Sequence, residues 1–279
     1  GGSGSALADL SFAFQRRMLH TLGKLSDGMA IGLRHGFDSG ASLDYVYRNQ
    51  AGGRLGIGAF IDRGYLDAVG WRGIRLRKVH LQAALARLIG AHTEARPLRV
   101  LDVAAGGGRY VLETVKRCQD VPMEVTLRDF EQHNLDSARR LAERLELGCA
   151  LQFQRRDAFD AASYPQEEGQ YDIVIVSGLF ELFSENAPVL RALASIAGCL
   201  RPGGHLIYTG QPWHPQLDMI AQTLDNHRGK PWIMRPRPQA ELDGLVAYAG
   251  LVKVDTQIGL EGIFTVSVAA LRAAPGAGD

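Results

Sequence analysis

The stretch RVLDVAAGGGRY, Arg99 to Tyr110, runs from an apolar segment ending on an acid through two alanines and three glycines into an amphipathic segment. A strand that turns through bare backbone into a helix offers N–H groups at the helix N-terminus, where a ligand can lie against the chain. A phosphate-binding loop needs Lys and then Ser or Thr after the last glycine, and Arg109 and Tyr110 stand there instead. The dinucleotide fingerprint fits poorly as well, because Asp102 sits in the strand end where that pattern carries no acid. Anchored on the acid, the pattern reads Asp102-x-Ala104-x-Gly106-x-Gly108. A second acid, Asp129, ends the next apolar run roughly 20 residues on, where a ribose diol would lie. A third, Asp157, ends the run after that in RRDAF.

Outward from this loop, short runs rich in Val, Ile and Leu alternate with longer amphipathic stretches, the signature of βαβ units on a parallel sheet. The predicted strands are LRVLDVA, MEVTLRDF, ALQFQRRDAF, YDIVIVSGLF, GHLIYTGQ, LVKVDTQI and IFTVSVAAL. Helices are expected near Tyr110–Cys118, Leu135–Leu145, Asn186–Leu200, Leu217–Asn226 and Ala240–Ala249. Only GLEG separates the last two strands, too short for a parallel return, so they are expected to form an antiparallel hairpin at one sheet edge. The fold class is therefore α/β, a Rossmann-like doubly wound seven-stranded sheet with one antiparallel edge strand and an N-terminal helical cap.

That cap rests on apolar residues at helical spacing from Leu10 to about Ile89, including Phe14, Met18, Leu22 and Leu25 and then Val79, Leu81, Leu85 and Leu88. Between them His35 to Gly56 is dense in glycine and polar residues and is expected to be an ordered loop. The domain reading is a flexible Gly/Ser linker over 1–5, a helical cap and substrate region over 6–95, and the sheet domain over 96–279, with the tail AAPGAGD frayed.

Composition bounds the function. With 31 Lys+Arg against 30 Asp+Glu, the chain has no broad field for a polyanion, so nucleic acid is a poor partner. The three cysteines lack the spacing of a disulfide framework or a metal site, which fits a reducing cytoplasm and no metal. No apolar run reaches the 18–20 or so residues that span a bilayer, so no integral membrane segment is expected. A small-molecule substrate is the expected partner, and a homodimer stays open.

Together VLDVAAGGG, LRDF, RRDAF, YDIVIVSGLFELF and LRPGGHLIYTG resemble the five cofactor motifs of class I S-adenosylmethionine-dependent methyltransferases, in order and over Arg99 to about Arg272. The resemblance implies S-adenosylmethionine as the cofactor. Carried over, Gly106 and Gly108 would let the methionine portion and the ribose lie on the backbone, with Asp102 near the cofactor amine. Asp129 would accept both ribose hydroxyls, Asp157 the adenine amine beside the Ala158 backbone, and Phe130 would cover one face of the base. Ala104 departs from the family's usual glycine, a change tolerated if its φ is negative. Three carboxylates suit a cofactor bearing a sulfonium and an ammonium and would repel a pyrophosphate. FDSGASLDYVYRN, GWRGIRLRK and YTGQPWHPQLDMI also look like a narrower bacterial subgroup often fused to or encoded near α/β-hydrolases and lipid-modifying enzymes, which implies a metabolite or lipid-like substrate.

In an open α/β sheet the ligand lies beyond the carboxyl ends of the strands, which places SGLFELF, with Ser177 and Phe180, and GQPWHPQ, with Gln211 and Trp213, toward the substrate. Neither carries the (D/N)PPY sequence of methyltransferases acting on base amines or amides. For an oxygen nucleophile the chain supplies alignment and a base. His214, between Pro212 and Pro215, is the candidate base, with the alternative of a loop histidine bonded to backbone. Tyr47 and Ser177 are further catalytic candidates, and Tyr45, Asn49, Phe180, Gln211 and Trp213 candidate substrate contacts. Glu181 is either an acid/base group or a solvated helix face, and Arg72, Arg75 and Lys78 either hold a substrate anion or face solvent. The expected function is methyl transfer to a small molecule, at oxygen. The alternative is attack of the cofactor's own amine on its γ-carbon, releasing methylthioadenosine and forming azetidine-2-carboxylate, with Tyr47, Asn49 and Ser177 around the amine.

Overall fold

The computed structural model describes residues 3–164 and 169–271, with side chains from Leu10 onward. Its elements, in order, are α1 (Ser3–Thr21), α2 (Asp27–His35), α3 (Gly40–Arg48), α4 (Ile57–Leu66), α5 (Val69–Gly90), β1 (Leu98–Val103), α6 (Arg109–Arg117), β2 (Met123–Asp129), α7 (Gln132–Leu145), β3 (Ala150–Arg155), β4 (Tyr171–Val176), α8 (Asn186–Cys199), β5 (Leu200–Gly210), α9 (Leu217–Thr223), α10 (Gln239–Tyr248), β6 (Leu251–Ile258) and β7 (Thr265–Leu271). The linker expected over 1–5 is already helical from Ser3, and the tail AAPGAGD lies outside the described residues.

The chain divides into two compact units, one of residues 1–75 and 214–234, the other of 76–213 and 235–279. The break falls inside α5, twenty residues short of the boundary expected at 95, and the segment after β5 that holds α9 belongs with the N-terminal helices.

The sheet unit carries seven strands in the order β3-β2-β1-β4-β5-β7-β6. Val100 pairs with Val125 on one side and Ile173 on the other, both parallel. Strands buried on both faces need apolar residues at nearly every position, which is why LRVLDV and YDIVIV read as continuous apolar runs. The strand order reverses between β1 and β4, and the crevice beyond their carboxyl ends is where an open α/β sheet takes its ligand. The hairpin forms, with Gly259 N–H donating to Phe264 O at 2.9 Å. Its reversed strand is β7, which inserts between β5 and β6 and leaves β6 outermost. Burial explains that order: TVSVA is buried throughout, whereas most of LVKVDTQI faces solvent. On one sheet face Val189, Ala192, Leu193 and Ile196 of α8 pack into a core with Leu101, Val174, Val176 and Tyr208.

In the helical unit, Ser26 caps α2 by accepting from Met29 N–H, and Ser39 caps α3 by accepting from Ser42 N–H. The loop expected from His35 to Gly56 therefore contains a helix. The Ser39 cap together with Ser42, Tyr45 and Val46 buried on one face outweighs the flanking glycines.

Candidate functional site

The glycine loop is wound through left-handed backbone at Ala104 (φ +55°), Gly106 (φ +56°) and Gly108 (φ +63°). Ala104 thus takes the positive φ that the sequence expectation required it to avoid, a strain on the order of 1 kcal/mol for a residue with a Cβ. Neighbouring bonds hold it there: Ala105 N–H donates to Arg128 O at 2.8 Å and Gly108 N–H to Ala105 O at 3.0 Å. At Gly108 a Cβ would stand 2.3 Å from Leu127 Cδ2, so close packing of loop on β2 excludes any side chain.

Asp129 closes the loop from the side. It is buried, its Oδ2 accepting from Gly106 N–H at 2.8 Å and its Oδ1 from Glu131 N–H at 2.8 Å and Asn134 Nδ2 at 3.0 Å. Asp102, one residue from the end of β1, is fully buried. Its Oδ1 accepts from Tyr110 Oη at 2.7 Å. Its Oδ2 has no partner among the described residues. Burial pushes its carboxyl well above the usual range, the Asp129 charge pushes the same way, and the Tyr110 bond opposes both. Ser177 directly follows β4, which lies beside β1 with Val176 opposite Val103, and its buried Oγ also lacks a partner among the described residues. These two buried oxygens stand at the strand-order reversal with hydrogen-bonding capacity that no described residue uses.

Farther along this edge, Asp157 is exposed two residues beyond β3, with Oδ1 accepting from Phe159 N–H at 2.9 Å. Ala158 O accepts from Tyr164 Oη at 2.9 Å. Phe130 is 54% exposed, with the Arg155 guanidinium 5.8 Å from its ring centre. A glycine loop after β1, a half-exposed aromatic ring after β2 and a carboxylate after β3 fit an adenosine bearing an amino-acid tail, with backbone for the tail and acceptors for the diol and amine.

Past β4, Phe180 is in the core rather than on a surface, and its O accepts from Arg237 Nη1. Glu181 is buried beside Arg77, with Oε1 3.5 Å from Nη1, so neither a solvated face nor an open acid fits it. Burial raises its carboxyl pKa, and Arg77 opposes the rise. Gln211 is buried, its O accepting from Arg237 N–H at 3.2 Å, and Trp213 is half exposed over Gly262. Lys78 pairs with Glu113 at 2.6 Å.

The remaining candidates lie in the helical unit. His214 is buried, its Nδ1 accepting from Gln216 N–H at 3.1 Å and its Nε2 packed where a Gly70 side chain would be. That bond places the ring proton on Nε2 and occupies the lone pair a base would use. Desolvation lowers its pKa to about 4. The arrangement is the backbone-bonded alternative, and it is a correction to the base reading for the ring as folded. Tyr45 is buried and donates to Asp62, so it is a pin within this unit rather than a free donor. Asn49 caps the C-terminus of α3 in left-handed backbone and accepts from Arg63 Nη2 at 2.7 Å. Tyr47 is half-buried in the last turn of α3. Arg72 and Arg75 donate to Asp67 O and Leu66 O at 2.9 and 2.8 Å.

Sequence reasoning missed Asp62, Tyr110 and Arg77. Asp62 and Tyr110 gave no spacing signal, but Tyr110 lies within the opening stretch itself. Arg77 lies off the Arg72–Arg75–Lys78 stripe and is the arginine of that helix that turns inward.

Comparison with known proteins agrees with this geometry. Residues 2–271 match the protein family described as "Putative methyltransferase". The Escherichia coli K12 protein YnbC, uncharacterised, is 44% identical over 266 residues, covering 95% of this chain and 45% of its own length. A ubiquinone biosynthesis O-methyltransferase of Aeromonas salmonicida is 36% identical over 108 residues, covering 39% of this chain and 41% of its own. The chain thus spans less than half the length of these curated relatives. Among solved structures, the magnesium protoporphyrin IX methyltransferase of Synechocystis superposes with a TM-score of 0.60 at 16% identity, over 86% of this chain and 98% of that one, and shares the fold.

Proposed function

The chain belongs to this methyltransferase family, and from that premise we propose that it binds S-adenosylmethionine and transfers its methyl group to an oxygen of a small molecule, a metabolite or lipid-like acceptor, in the reducing cytoplasm. The observation that carries the reading is Asp129 clamped onto the Gly106 amide at the carboxyl end of β2, beside buried oxygens on Asp102 and Ser177 that have no partner among the described residues.

When bound, the cofactor supplies a carbon already activated by its sulfonium. The chain's own residues bind and align. Asp129 would hold the ribose hydroxyls from the carboxyl end of β2. The backbone of Gly106 and Gly108 carries the amino-acid tail, Asp102 Oδ2 accepts from its ammonium directly or through a water, and Asp157 with Ala158 and Phe130 frames the adenine. Ser177 orients polar atoms at the crevice. In-line displacement needs mainly alignment and exclusion of water. An acceptor oxygen that is ionised in solution needs no base from the chain, which agrees with a His214 lone pair already taken. The O-methyltransferase name of the Aeromonas salmonicida relative supports oxygen as the acceptor atom.

The test is product analysis. Protein incubated with S-adenosylmethionine alone should leave it intact, and addition of a panel of phenols and carboxylic acids should yield S-adenosylhomocysteine with a methylated product. Methylthioadenosine formed without any acceptor would overturn methyl transfer in favour of cyclisation.

A further inference from the structure

The side chain of Arg77 is 3% exposed, and among the described residues its only charge partner is Glu181, met by a single Nη1–Oε1 approach of 3.5 Å. The guanidinium makes no hydrogen bond to any described residue, its Nε is buried without a partner, and the Phe264 ring lies 4.8 Å away. A guanidinium carries five N–H donors in a rigid fork, and burying them unpaired is unfavourable. Arg237, buried in the stretch before α10, shows the contrast. Its Nε donates to Asn186 Oδ1 at 2.9 Å, and its Nη groups donate to Phe180 O, Phe183 O and Glu185 O. One buried arginine places four hydrogen bonds on described residues, and the other places none.

The open one stands at the carboxyl end of β4. Gly178, with φ +70°, brings bare backbone against it: a Cβ there would come within 3.2 Å of Nη2 and 3.5 Å of Nη1. Gly178 N–H is committed to Thr209 Oγ1 at 2.8 Å. The preceding residue is Ser177, whose buried hydroxyl also has no partner among the described residues. A planar fork and a hydroxyl, both buried and neither hydrogen-bonded to a described residue, match the two oxygens of a carboxylate. Glu181 cancels much of the arginine's charge, which favours a monoanion over a phosphate dianion. We propose that Arg77 and Ser177 form a carboxylate-recognition subsite at the carboxyl end of β4, for an acid group carried by the cofactor's amino-acid tail or by the acceptor. The inference rests on the methyltransferase reading only for which molecule brings the carboxylate.

Calorimetric titration separates the sources. The probes are S-adenosylhomocysteine, its decarboxylated analogue and benzoate, added to the full chain and to Arg77→Met, Ser177→Ala and Glu181→Gln. A cofactor carboxylate predicts that Arg77→Met weakens S-adenosylhomocysteine at least tenfold and Ser177→Ala several-fold, that Glu181→Gln tightens it, and that the decarboxylated analogue is unaffected. An acceptor carboxylate predicts unchanged S-adenosylhomocysteine in every variant, with saturable benzoate binding that Arg77→Met abolishes. Equal effects on both nucleosides with no Arg77-dependent benzoate binding would overturn the subsite, as would a wild-type chain that binds none of the three. A chain that binds benzoate through Arg77 but not S-adenosylhomocysteine keeps the subsite and removes the methyltransferase reading. Should Arg77→Met fail to fold, Ser177→Ala, which removes only a hydroxyl, decides the matter by the same readouts.

Discussion

Each unit of the molecule buries an aspartate completely, and the two are treated in opposite ways. In the helical unit Asp62 Oδ1 accepts from Ser26 Oγ at 2.5 Å and Gly28 N–H at 2.8 Å, and its Oδ2 from Tyr45 Oη and from Gly52 N–H at 2.9 Å. Four donors from three parts of the chain fill its acceptor positions, so the carboxylate ties α2, α3 and the segment before α4 onto α4. In the sheet unit Asp102 has one donor, Tyr110, and an oxygen with no partner among the described residues. A saturated buried carboxylate holds structure, and an unsaturated one at a strand-order reversal waits for a ligand.

The comparison breaks most visibly at Asp62. Asp62→Ala strands Ser26, Tyr45 and two amides, and should cost roughly 3–4 kcal/mol in urea unfolding. S-adenosylhomocysteine affinity per folded molecule should stay near wild type, and a matching loss of affinity would erase the distinction. Next is Asp129→Ala, which should lower affinity for that ligand about 100-fold in calorimetry, or about 2.8 kcal/mol, with a smaller loss of stability. Retained tight binding would refute the ribose assignment. Acid sensitivity follows. His214 has its pKa lowered to about 4 against about 6.5 when unfolded, so between those values the unfolded chain binds the extra proton and stability falls as pH falls. Wild type should lose about 2 kcal/mol from this residue between pH 7 and pH 5, and His214→Gln should lose correspondingly less. The smallest effect is Tyr110→Phe, which removes the only donor to Asp102 among the described residues and should cost on the order of 1 kcal/mol. A null result there would mean that water already satisfies the carboxylate.

The sheet unit was largely legible because its signals are local. Apolar runs as long as a strand, an acid at or near each run's end and a glycine loop fix strand identity and place Asp102, Asp129 and Asp157 along one edge without knowledge of any contact. The helical unit was not, because its organisation depends on partners far apart in sequence. Ser26, Tyr45, Gly52 and Asp62 share no spacing, and the polar texture of 35–56 concealed α3. Arg77 was passed over for a related reason: helical spacing picks out a stripe, and only packing tells which side of the helix faces inward.

By itself the sequence determined the parallel core and the hairpin at the sheet edge, since each follows from residue type at short range, and the resemblance of its motifs to a family implied the cofactor class. The tertiary structure decided that β7 lies inside β6, that Ala104 adopts left-handed backbone, that the His214 lone pair is taken and that Arg77 is buried without a hydrogen bond to any described residue. Those outcomes depend on which donors and acceptors meet across the fold, and pairing at long range leaves no periodic trace in the chain.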